Sequence, residues 1–520
     1  MEYSRKFDFS QVKNKSSWAS AVADEIIAAH SDKKLYTVAA GISPSGVVHF
    51  GNFRDIATAY MVRSALMEKG KKTRLIFSWD NFDRFRKVPA GVPESFAEHI
   101  GKPLSKIPDP QGEFSSYAER FQKPFVEAME RLGIEIEYRN QTSLYESGVY
   151  DEQIFHVLRN REKIANILLS FMSDKAKGEK GIDPEEYRKN YYPISIYSRF
   201  SGKDLTKIID YDGSSKVTYF CVETGKEDTV DLSKDHIAKI AWKVDWPMRW
   251  KHEEVVFEPG GHDHASPGGS YDVSSVVSKE IFDYLAPIFV EYKFVGIQGL
   301  GSKMSGSKGN AISPLELLEV YEPDLLKWLY FRKSPNQSFE LAFNTEIYRQ
   351  YDEYDAEHPE QNTVPFRQAV GFGQVVQWKE DKLKEVFKAL GTNYSDKNIS
   401  SRLILARNWL TKYNPSEVIK LNEIPNVGYI ETLSNERKEQ VKKLHNELDK
   451  NKAATIANLD ALVYSIPKSP ELNDEELKKE QRVFFKDVYN LLIGKDIGPR
   501  LGTFLWAADR ERVLKLLKLQ

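Results

Sequence analysis

LYTVAAGISPSGVVHFGN, residues 35–52, is the stretch of sequence that decides the fold. Its first part, up to Ala40, is an apolar run of strand length, and a loop rich in Gly, Ser and Pro follows it. From about Gly51 to Lys69 the apolar residues recur at helical spacing, and residues 75–78 read as a second strand. Strand, loop, helix and strand form a βαβ unit, which predicts a parallel sheet.

Outside this unit, the pattern of the sequence changes along the chain. Residues 89–235 are broken by loops, Pro and Gly, whereas sheet-like sequence returns at residues 255–257 and 294–297. Beyond about residue 348, helical spacing dominates and strand candidates are few. We therefore predict an α/β fold in four parts, which are a sheet domain split into residues 33–88 and 236–300, an inserted α+β domain of residues 89–235, a short region of residues 301–347, and an α-helical domain of residues 348–520.

Composition bounds the class of protein. A chain of 520 residues is too long for one ordinary core, and 41% hydrophobic with 29% charged residues is typical of a globular protein. The formal net charge of -2 means that any nucleic-acid surface must be a local basic patch. A single cysteine, Cys221, excludes an intramolecular disulfide and favours a reducing cytoplasm. We find no apolar run that could span a bilayer and no signal peptide, so we expect a cytoplasmic protein with no membrane partner.

The loop at residues 44–52 has the features of a phosphate site. It lies between a strand and a helix N-terminus, where free backbone N–H groups and the positive end of the helix dipole attract anions. Gly51 lets a nucleotide approach the backbone, and His49 can donate to phosphate oxygens. Taken alone, a surface turn with an incidental histidine explains this loop equally well.

A second loop, KMSGSK at residues 303–308, directly follows another predicted strand. Its two lysines can neutralise the charge that develops when pyrophosphate leaves, and a mobile loop lets them close after a nucleotide binds. A solvated basic loop is an equal alternative. A P-loop is disfavoured, because Gly301 and Gly306 have the right spacing but the Ser and Lys that follow stand in the wrong order.

Together the two loops resemble the HIGH and KMSKS signatures of class I aminoacyl-tRNA synthetases. His49-Phe50-Gly51-Asn52 matches the first, with substitutions at its second and fourth positions. Residues 303–307 match the second with Gly306 in place of the second lysine, so we assign that charge to Lys308. The resemblance implies a Rossmann-like catalytic domain that binds ATP with Mg²⁺. It implies an ATP site formed by Pro44, Ser45, His49, Gly51, Asn52, Gly261, Asp263, Lys303, Met304, Ser305, Ser307 and Lys308, in which His49, Asn52, Lys303 and Lys308 are catalytic.

Within class I, four further blocks look like the lysyl branch. They are SWDNFDRFRKVP at residues 78–89, VDWPMRW at residues 244–250, FEPGGHDH at residues 257–264 and GGSYD at residues 268–272. This resemblance implies L-lysine, ATP and tRNA(Lys) as substrates. It also implies an insertion that contacts the acceptor stem, a helical domain that binds the anticodon, and a monomer.

A lysine pocket needs a carboxylate or carbonyl group for the ammonium and apolar walls for the stem of the side chain. Asp80 and Asp83 lie just past the carboxyl end of a predicted strand, where α/β sheets bind ligands. Gly41 and Ser43 would line the pocket from the first loop. Which of the two carboxylates binds the ammonium stays open.

The resemblance adds three further lysine-binding residues, Trp242, His264 and Tyr292. For Trp242 and Tyr292, a role as core aromatics is an equal alternative. Gly261, Asp263 and His264 are placed for either the adenosine ribose or lysine, and the sequence does not separate these roles.

Some relatives hold zinc at two places in the insertion, and both places have lost ligands here. Asp109 remains at the first, where Glu113, Phe114 and Arg120 stand in place of the Cys and His ligands. The second is a zinc-ribbon-like pair that keeps only Cys221. One thiolate cannot form a closed tetrahedral site, so we predict no structural zinc and no metal-binding residues.

Two other functions are weighed against the full enzyme. A tRNA-binding or regulatory relative that no longer aminoacylates is disfavoured by the intact residues of the two signature loops. A class I enzyme for another amino acid, such as glutamate, would need a cationic partner for the side chain, whereas Asp80 and Asp83 favour a cationic substrate. We therefore predict ATP-dependent activation of lysine and its transfer to tRNA.

Overall fold

The computed structural model describes residues 3–12, 18–179, 181–299 and 311–519. Within these residues the chain forms two compact units. The first consists of the described residues up to 297 together with residues 311–318 and 326–341. The second consists of residues 298–299, residues 319–325 and the chain from residue 342 onward.

The strands and helices of the described residues are as follows. The strands are β1 (Tyr36–Ile42), β2 (Thr73–Trp79), β3 (Glu137–Asn140), β4 (Ile194–Ile196), β5 (Thr206–Tyr211), β6 (Lys216–Cys221), β7 (Lys226–Asp231), β8 (Ala238–Ile240), β9 (Val255–Gly261), β10 (Ile288–Tyr292), β11 (Val295–Gln298) and β12 (Phe339–Ala342). The first helices along the chain are α1 (Trp18–Ala29), α2 (Phe50–Glu68), α3 (Tyr117–Arg131), α4 (Gln141–Glu146), α5 (Asp151–Arg159), α6 (Arg161–Ser170), α7 (Asp174–Glu179), α8 (Pro184–Asn190), α9 (Leu232–Asp235), α10 (Trp242–Glu253), α11 (His262–Ala265), α12 (Ser270–Phe282), α13 (Pro314–Leu317) and α14 (Pro323–Phe331). Those of the second unit are α15 (Ile347–Glu357), α16 (Phe366–Val375), α17 (Glu380–Ala389), α18 (Asp396–Asn408), α19 (Val427–Thr432), α20 (Asn435–Lys450), α21 (Ile456–Ser465), α22 (Asp474–Ile493), α23 (Leu501–Ala507) and α24 (Arg510–Leu517).

The core of the first unit is a five-stranded parallel sheet in the order β10-β9-β1-β2-β3. β1 and β2 stay in register along their whole length, with Gly41 opposite Ser78. Because β1 lies between β2 and β9, the segments that leave the carboxyl ends of these three strands meet at one edge of the sheet. In open α/β sheets this is the edge at which ligands bind.

Helix α2 connects β1 to β2 and packs against both strands and β9. Its buried residues Phe53, Ile56 and Ala57 share one face at helical spacing, and Val62 and Leu66 are buried on the other side, so α2 is enclosed around most of its circumference. The chain leaves the helix through Gly70, whose φ of 73° lies in the left-handed region that glycine adopts without steric cost. The predicted βαβ unit is therefore confirmed by the structure.

Residues 89–235 contribute the edge strand β3 to the central sheet, and they otherwise contain helices and strands of two small antiparallel sheets. β5, β6 and β7 form one sheet, and β4 pairs with β8. Along β6 the buried residues alternate as Val217, Tyr219 and Cys221. This alternation is typical of a sheet that packs on a core with one face and meets solvent with the other.

The second unit is built of helices around a buried ion-pair cluster. The Arg402 side chain is completely buried and donates to Glu322 at 2.9 Å and to Asp355 at 2.6 Å. The predicted α/β fold class with a helical C-terminal region is confirmed. In the part of the chain that the structure describes, no helix combines the length and apolarity needed to cross a bilayer.

Candidate active site

A capping box starts α2 at the end of the first signature loop. The His49 Nδ1 atom accepts a hydrogen bond from the Gly51 N–H at 3.0 Å, and the Asn52 side chain accepts one from the His49 N–H at 3.1 Å. Since Nδ1 is an acceptor, the neutral ring carries its proton on Nε2, from which it can donate to a phosphate. Burial lowers the pKa of His49, which favours this neutral ring. A Cβ at Gly51 would lie 2.9 Å from the His49 ring, so the geometry requires glycine.

Three of the predicted ATP residues of the first loop, Ser45, His49 and Asn52, line an open cavity of about 430 Å³. The lining includes Ser43, Ser45, Gly46, His49, Asn52 and Asp83. The Tyr117 hydroxyl of α3 donates to the Ser45 carbonyl at 2.9 Å and so fixes the loop. Pro44 is buried within the same loop. The cavity therefore opens at the N-terminus of α2, where the helix dipole favours phosphate.

A second cavity, of about 90 Å³, lies against the carboxyl ends of β1 and β9. It brings together the predicted residues Gly41, Asp80, Trp242, Gly261, His264 and Tyr292. We call it the amino acid cavity, after the ligand that the sequence analysis predicts for these residues. Trp242 stacks on Trp246 with ring centroids 5.1 Å apart, which gives the cavity an apolar wall. A Cβ at Gly41 would lie 2.9 Å from the Ser78 carbonyl oxygen, so β1 approaches β2 too closely there for a larger residue.

Asp80 and Asp83, the predicted partners of an ammonium group, are both held by cations of the chain itself. Arg249 donates to Asp80 at 2.6 Å and also binds Asp245. Lys239 lies 2.7 Å from Asp245 and 3.6 Å from Asp83. The five side chains form an alternating row of three acids and two bases, in which Asp80 and Asp83 each have a basic neighbour and the formal net charge is -1. Asp83 lines the cavity at the first loop, and Asp80 lines the amino acid cavity.

Two other carboxylates that line the amino acid cavity, Asp55 and Glu258, form no salt bridge within the described residues. Asp55 accepts hydrogen bonds from the Gly41 N–H at 3.3 Å and from the Tyr292 hydroxyl. Glu258 accepts one from the Trp250 indole N–H at 2.7 Å. All of these donors are neutral. The cavity therefore contains two carboxyl groups that form no salt bridge with a basic side chain of the described residues.

Burial raises the pKa of both carboxyl groups. The pKa of Asp55 is well above its usual range because of burial and of the nearby Glu258 charge. Burial raises the pKa of Glu258 to about 7, although the nearby indole N–H groups of Trp246 and Trp250, of which only that of Trp250 makes a hydrogen bond, oppose the shift. A cation that enters this cavity would replace the protons that these groups otherwise favour.

The predictions from sequence did not include Asp55 or Glu258, although both carry a recognisable signal. Asp55 follows Asn52 by three residues and so lies one helical turn further along α2, on the same face. Glu258 is the one acidic residue in the apolar strand β9. An acid in a buried strand is a candidate for a functional role because its isolated burial is costly.

Comparison with known proteins assigns the chain to a family. The family of class I tRNA synthetases of the lysine type, described as tRNA synthetases class I (K), matches residues 16–373. The chain belongs to this family. Its relatives include the lysine–tRNA ligase of Streptomyces coelicolor, 36% identical over 96% of this chain and 98% of that protein. The lysine–tRNA ligase of Pyrococcus horikoshii is 35% identical over 97% of this chain and 99% of that protein. The family predicted from the two signature loops is thereby confirmed, and synthetases of this class use ATP.

The second signature loop of this class I synthetase lies outside the described residues. Lys303, Met304, Ser305, Ser307 and Lys308 all fall within it, and their predicted roles in ATP binding stay predictions. The chain that follows this loop is hydrogen-bonded to the start of α2, the helix that begins at the first signature loop. The Phe50 N–H donates to the Ile312 carbonyl at 2.9 Å, and the Tyr330 hydroxyl donates to the Phe50 carbonyl at 2.8 Å.

The end of β9 and helix α11 contribute the remaining predicted residues. His264 packs against Trp246 with ring centroids 5.5 Å apart, and burial lowers its pKa. Gly261 borders the amino acid cavity, whereas Asp263 is exposed on α11. Burial raises the pKa of Tyr292 well above its usual range, so its hydroxyl stays a donor for Asp55.

An ion pair occupies the first of the two places where zinc ligands are missing. Asp109 accepts hydrogen bonds from the N–H groups of Glu113 at 2.7 Å and Phe114 at 3.0 Å, and Arg120 binds both Asp109 and Glu113. The Arg120 hydrogen bond, together with these backbone donors, holds the pKa of Asp109 well below its usual range.

At the second place, Cys221 is completely buried in the core of the β5–β7 sheet. Burial opposes ionisation of its thiol, but hydrogen bonds from Ser198, Thr224 and Ser201 outweigh this and lower its pKa to about 7. Across residues 3–12, 18–179, 181–299 and 311–519, no three His, Cys, Asp or Glu side chains are grouped as ligands of a metal ion.

Proposed function

We propose that this chain is a lysine–tRNA ligase that activates L-lysine with ATP and transfers it to the 3′ end of tRNA(Lys). The observation that carries the proposal is the amino acid cavity, in which the half-buried Asp55 carboxylate has no cationic partner among the described residues. Such a group binds a substrate cation more strongly than an exposed carboxylate does. The curated relatives are lysine–tRNA ligases over nearly their whole length, which supports the same substrate.

In this proposal the side chain of lysine enters between Asp55 and the Trp242 wall. Its ammonium donates to the Asp55 carboxylate, which Gly41 and Tyr292 already orient by hydrogen bonds. Its methylene stem packs on Trp242, which stacks on Trp246. His264 closes the same wall.

Glutamate does not suit this cavity. Its side-chain carboxylate would face Asp55 and Glu258, and like charges repel strongly in a buried site. The one arginine in the lining, Arg249, is held by Asp80 and Asp245. These contacts favour a cationic amino acid and leave no basic group for an anionic one within the described lining.

ATP binds in the adjacent cavity at the N-terminus of α2 in this proposal. The His49 Nε2–H and the backbone N–H groups of the helix start donate to phosphate oxygens. Asn52 holds His49 in place through the capping box. Mg²⁺ enters with the nucleotide, whose phosphate oxygens are its preferred ligands. Lys303 and Lys308 neutralise the charge on the leaving pyrophosphate.

The reaction needs no nucleophile from the protein. A carboxylate oxygen of lysine attacks the α-phosphorus of ATP, and the bond to pyrophosphate breaks to give lysyl-adenylate. The terminal ribose hydroxyl of tRNA then attacks the carbonyl carbon, loses its proton and releases AMP. Catalysis by positioning and charge stabilisation fits the residues assigned here. We further propose that residues 89–235 contact the acceptor stem, that the helical second unit binds the anticodon, and that the enzyme acts as a cytoplasmic monomer.

The decisive experiment is amino-acid-dependent exchange of pyrophosphate into ATP by the full chain, with Mg²⁺ and each amino acid, with and without tRNA. We expect exchange with lysine and no exchange with glutamate. Asp55→Asn should raise the KM for lysine on the order of a hundredfold, because it removes one partner of a buried charge pair. It should leave the KM for ATP nearly unchanged. Absence of lysine-dependent exchange under both conditions would refute the proposal.

A further inference from the structure

Four carboxylates line the amino acid cavity, and they divide into two kinds by their partners. Asp80 is bound by Arg249 at 2.6 Å. Glu253, at the end of α10, is bound by Arg139 at 2.6 Å and by Arg74 at 3.0 Å. These two acids are therefore neutralised within the protein.

Asp55 and Glu258 are the second kind, with only neutral donors and no salt bridge to the described residues. They reach the cavity from two different elements, because Asp55 lies on α2 and Glu258 lies in the middle of β9. Each carboxylate is near enough to the other for the Glu258 charge to disfavour ionisation of Asp55. The two acids therefore act on the same small volume.

Glu258 is half-buried within the central sheet. Its strand neighbours Phe257 and Pro259 are buried, and in the register of the sheet it stands opposite Phe289 of β10. The Glu258 carboxylate accepts a hydrogen bond from the indole N–H of Trp250, a side chain that is fully buried. A glutamine would make that bond equally well, so the Trp250 contact alone does not require a charge at this position.

We propose that Glu258 is a second ammonium-binding group of the amino acid cavity and, together with Asp55, determines specificity for an amino acid whose side chain ends in an ammonium group. This inference rests on the proposed function and deepens it. Two carboxylates flank one ammonium, so its charge is shared and its three N–H donors find acceptors on two sides.

The second carboxylate sharpens discrimination against neutral side chains. An analogue of lysine's length that lacks the ammonium, such as norleucine, fills the apolar part of the cavity but leaves Asp55 and Glu258 unpaired. A site built to bind a polar group rejects an analogue without it far more strongly than an apolar site rejects a misfit. Because two acids are left without a partner, the free-energy cost of binding norleucine is larger than it would be with Asp55 alone.

The experiment compares the full-length wild type with Glu258→Gln in pyrophosphate exchange and, separately, in calorimetric binding of lysine and norleucine. Glutamine keeps the size of the side chain and the acceptor for Trp250. We expect the variant to raise the KM and Kd for lysine about tenfold. It should reduce the preference for lysine over norleucine by about the same factor, with the KM for ATP and the kcat at saturating lysine changed by less than about threefold.

Glu253→Gln is the matched control, because Glu253 lines the same cavity but is already paired with two arginines. It should lower the melting temperature and leave the KM for lysine within about twofold. If Glu258→Gln folds poorly by circular dichroism, Glu258→Asp replaces it, and its lysine affinity should fall between the wild type and the loss expected for glutamine.

An unchanged lysine affinity in the Glu258 variants, or an equal loss in Glu253→Gln, would overturn the inference and leave Glu258 with a structural role. Failure of the proposed function is distinguishable from failure of this inference, because the wild type itself would then give no lysine-dependent exchange. Calorimetry still decides the role of Glu258 in that case, since binding of lysine does not depend on turnover.

Discussion

At the scale of single residues, the charge of the amino acid cavity depends on which of its carboxylates form a salt bridge with a basic side chain of the protein. Asp80 finds Arg249 from α10, whereas Glu258 faces Asp55 and the indole of Trp250. A carboxylate is therefore a structural group paired with a cation at position 80 and an acid without a salt bridge at position 258. An acid of the second kind favours its protonated form until a cation arrives.

The raised pKa of Glu258, about 7, predicts how stability depends on pH. In the unfolded chain this carboxyl group ionises near its ordinary pKa. Its protonation therefore stabilises the native state fully below that pKa, and this stabilisation is lost as the pH rises from there through about 7. The groups facing it are Asp55, Asp80, Arg249 and Trp250. The melting temperature without ligand should therefore fall between about pH 5 and about pH 7.

Differential scanning calorimetry with and without lysine measures this effect. Lysine should stabilise the chain more at the upper end of the pH range, because its ammonium then binds ionised carboxylates. In Glu258→Gln the decline without ligand should be smaller. A wild-type melting temperature that rises over the same range, by the same amount in the variant, would contradict the assignment.

Residue-scale predictions from the sequence were limited by partners that are distant along the chain. The position of Asp80 after β2 made it a natural candidate for an ammonium, but its neutralisation comes from Arg249, which the sequence places 169 residues away. Charge balance of this kind is a tertiary property, so no local pattern contains it. Gly41, predicted from the loop after the first strand, and Trp242 and Tyr292, implied by the family resemblance, do line the cavity.

At the scale of elements, local sequence rules account for much of what the structure shows. The strand, loop and helix around residues 35–69 follow from apolar spacing and from glycine in the turn positions, and α2 is observed at Phe50–Glu68. The histidine of the first signature serves as an N-cap, which is a position usually taken by Ser, Thr, Asp or Asn. The sequence alone did not indicate that the cap also fixes the tautomer of His49.

The segment before α3 is an element held by an ion pair, at the first of the two places for which the sequence predicts no zinc. Asp109 is buried and bound by Arg120 and by two backbone N–H groups, which closes the turn at residues 109–114. We predict that Arg120→Ala lowers the free energy of unfolding by about 2 kcal/mol, since it removes charged hydrogen bonds to a buried acceptor. A chelator should leave the melting temperature of the wild type unchanged.

Thermal denaturation with and without EDTA checks this prediction. Lys123→Ala is the matched control on the same helix, because the exposed Lys123–Glu119 pair should contribute less than about 1 kcal/mol. Arg120→Lys keeps the charge and should lose less stability than Arg120→Ala. A drop in melting temperature on chelation would show that a metal ion stabilises the chain after all.

At the scale of the whole molecule, the two compact units have separate cores. The cavities assigned to ATP and to the amino acid are lined by residues of the first unit. The second unit has its own buried ion-pair cluster at Arg402, whose side chain is fully buried with Glu322 and Asp355. This separation predicts that damage to the second core affects tRNA-dependent steps more than amino acid activation.

Arg402→Met tests this separation. It leaves Glu322 and Asp355 partly buried without their cation, and breaking a buried pair in this way costs about 3–5 kcal/mol. Calorimetry should show an unfolding transition at lower temperature, while lysine-dependent pyrophosphate exchange below that transition stays within about threefold of the wild type and the rate of tRNA charging falls by about tenfold or more. Lys442→Ala, which removes an exposed pair with Glu439 in the same unit, should leave all three measurements nearly unchanged. Equal loss of exchange and charging in Arg402→Met would mean that the stability of the second core is coupled to the chemistry in the first.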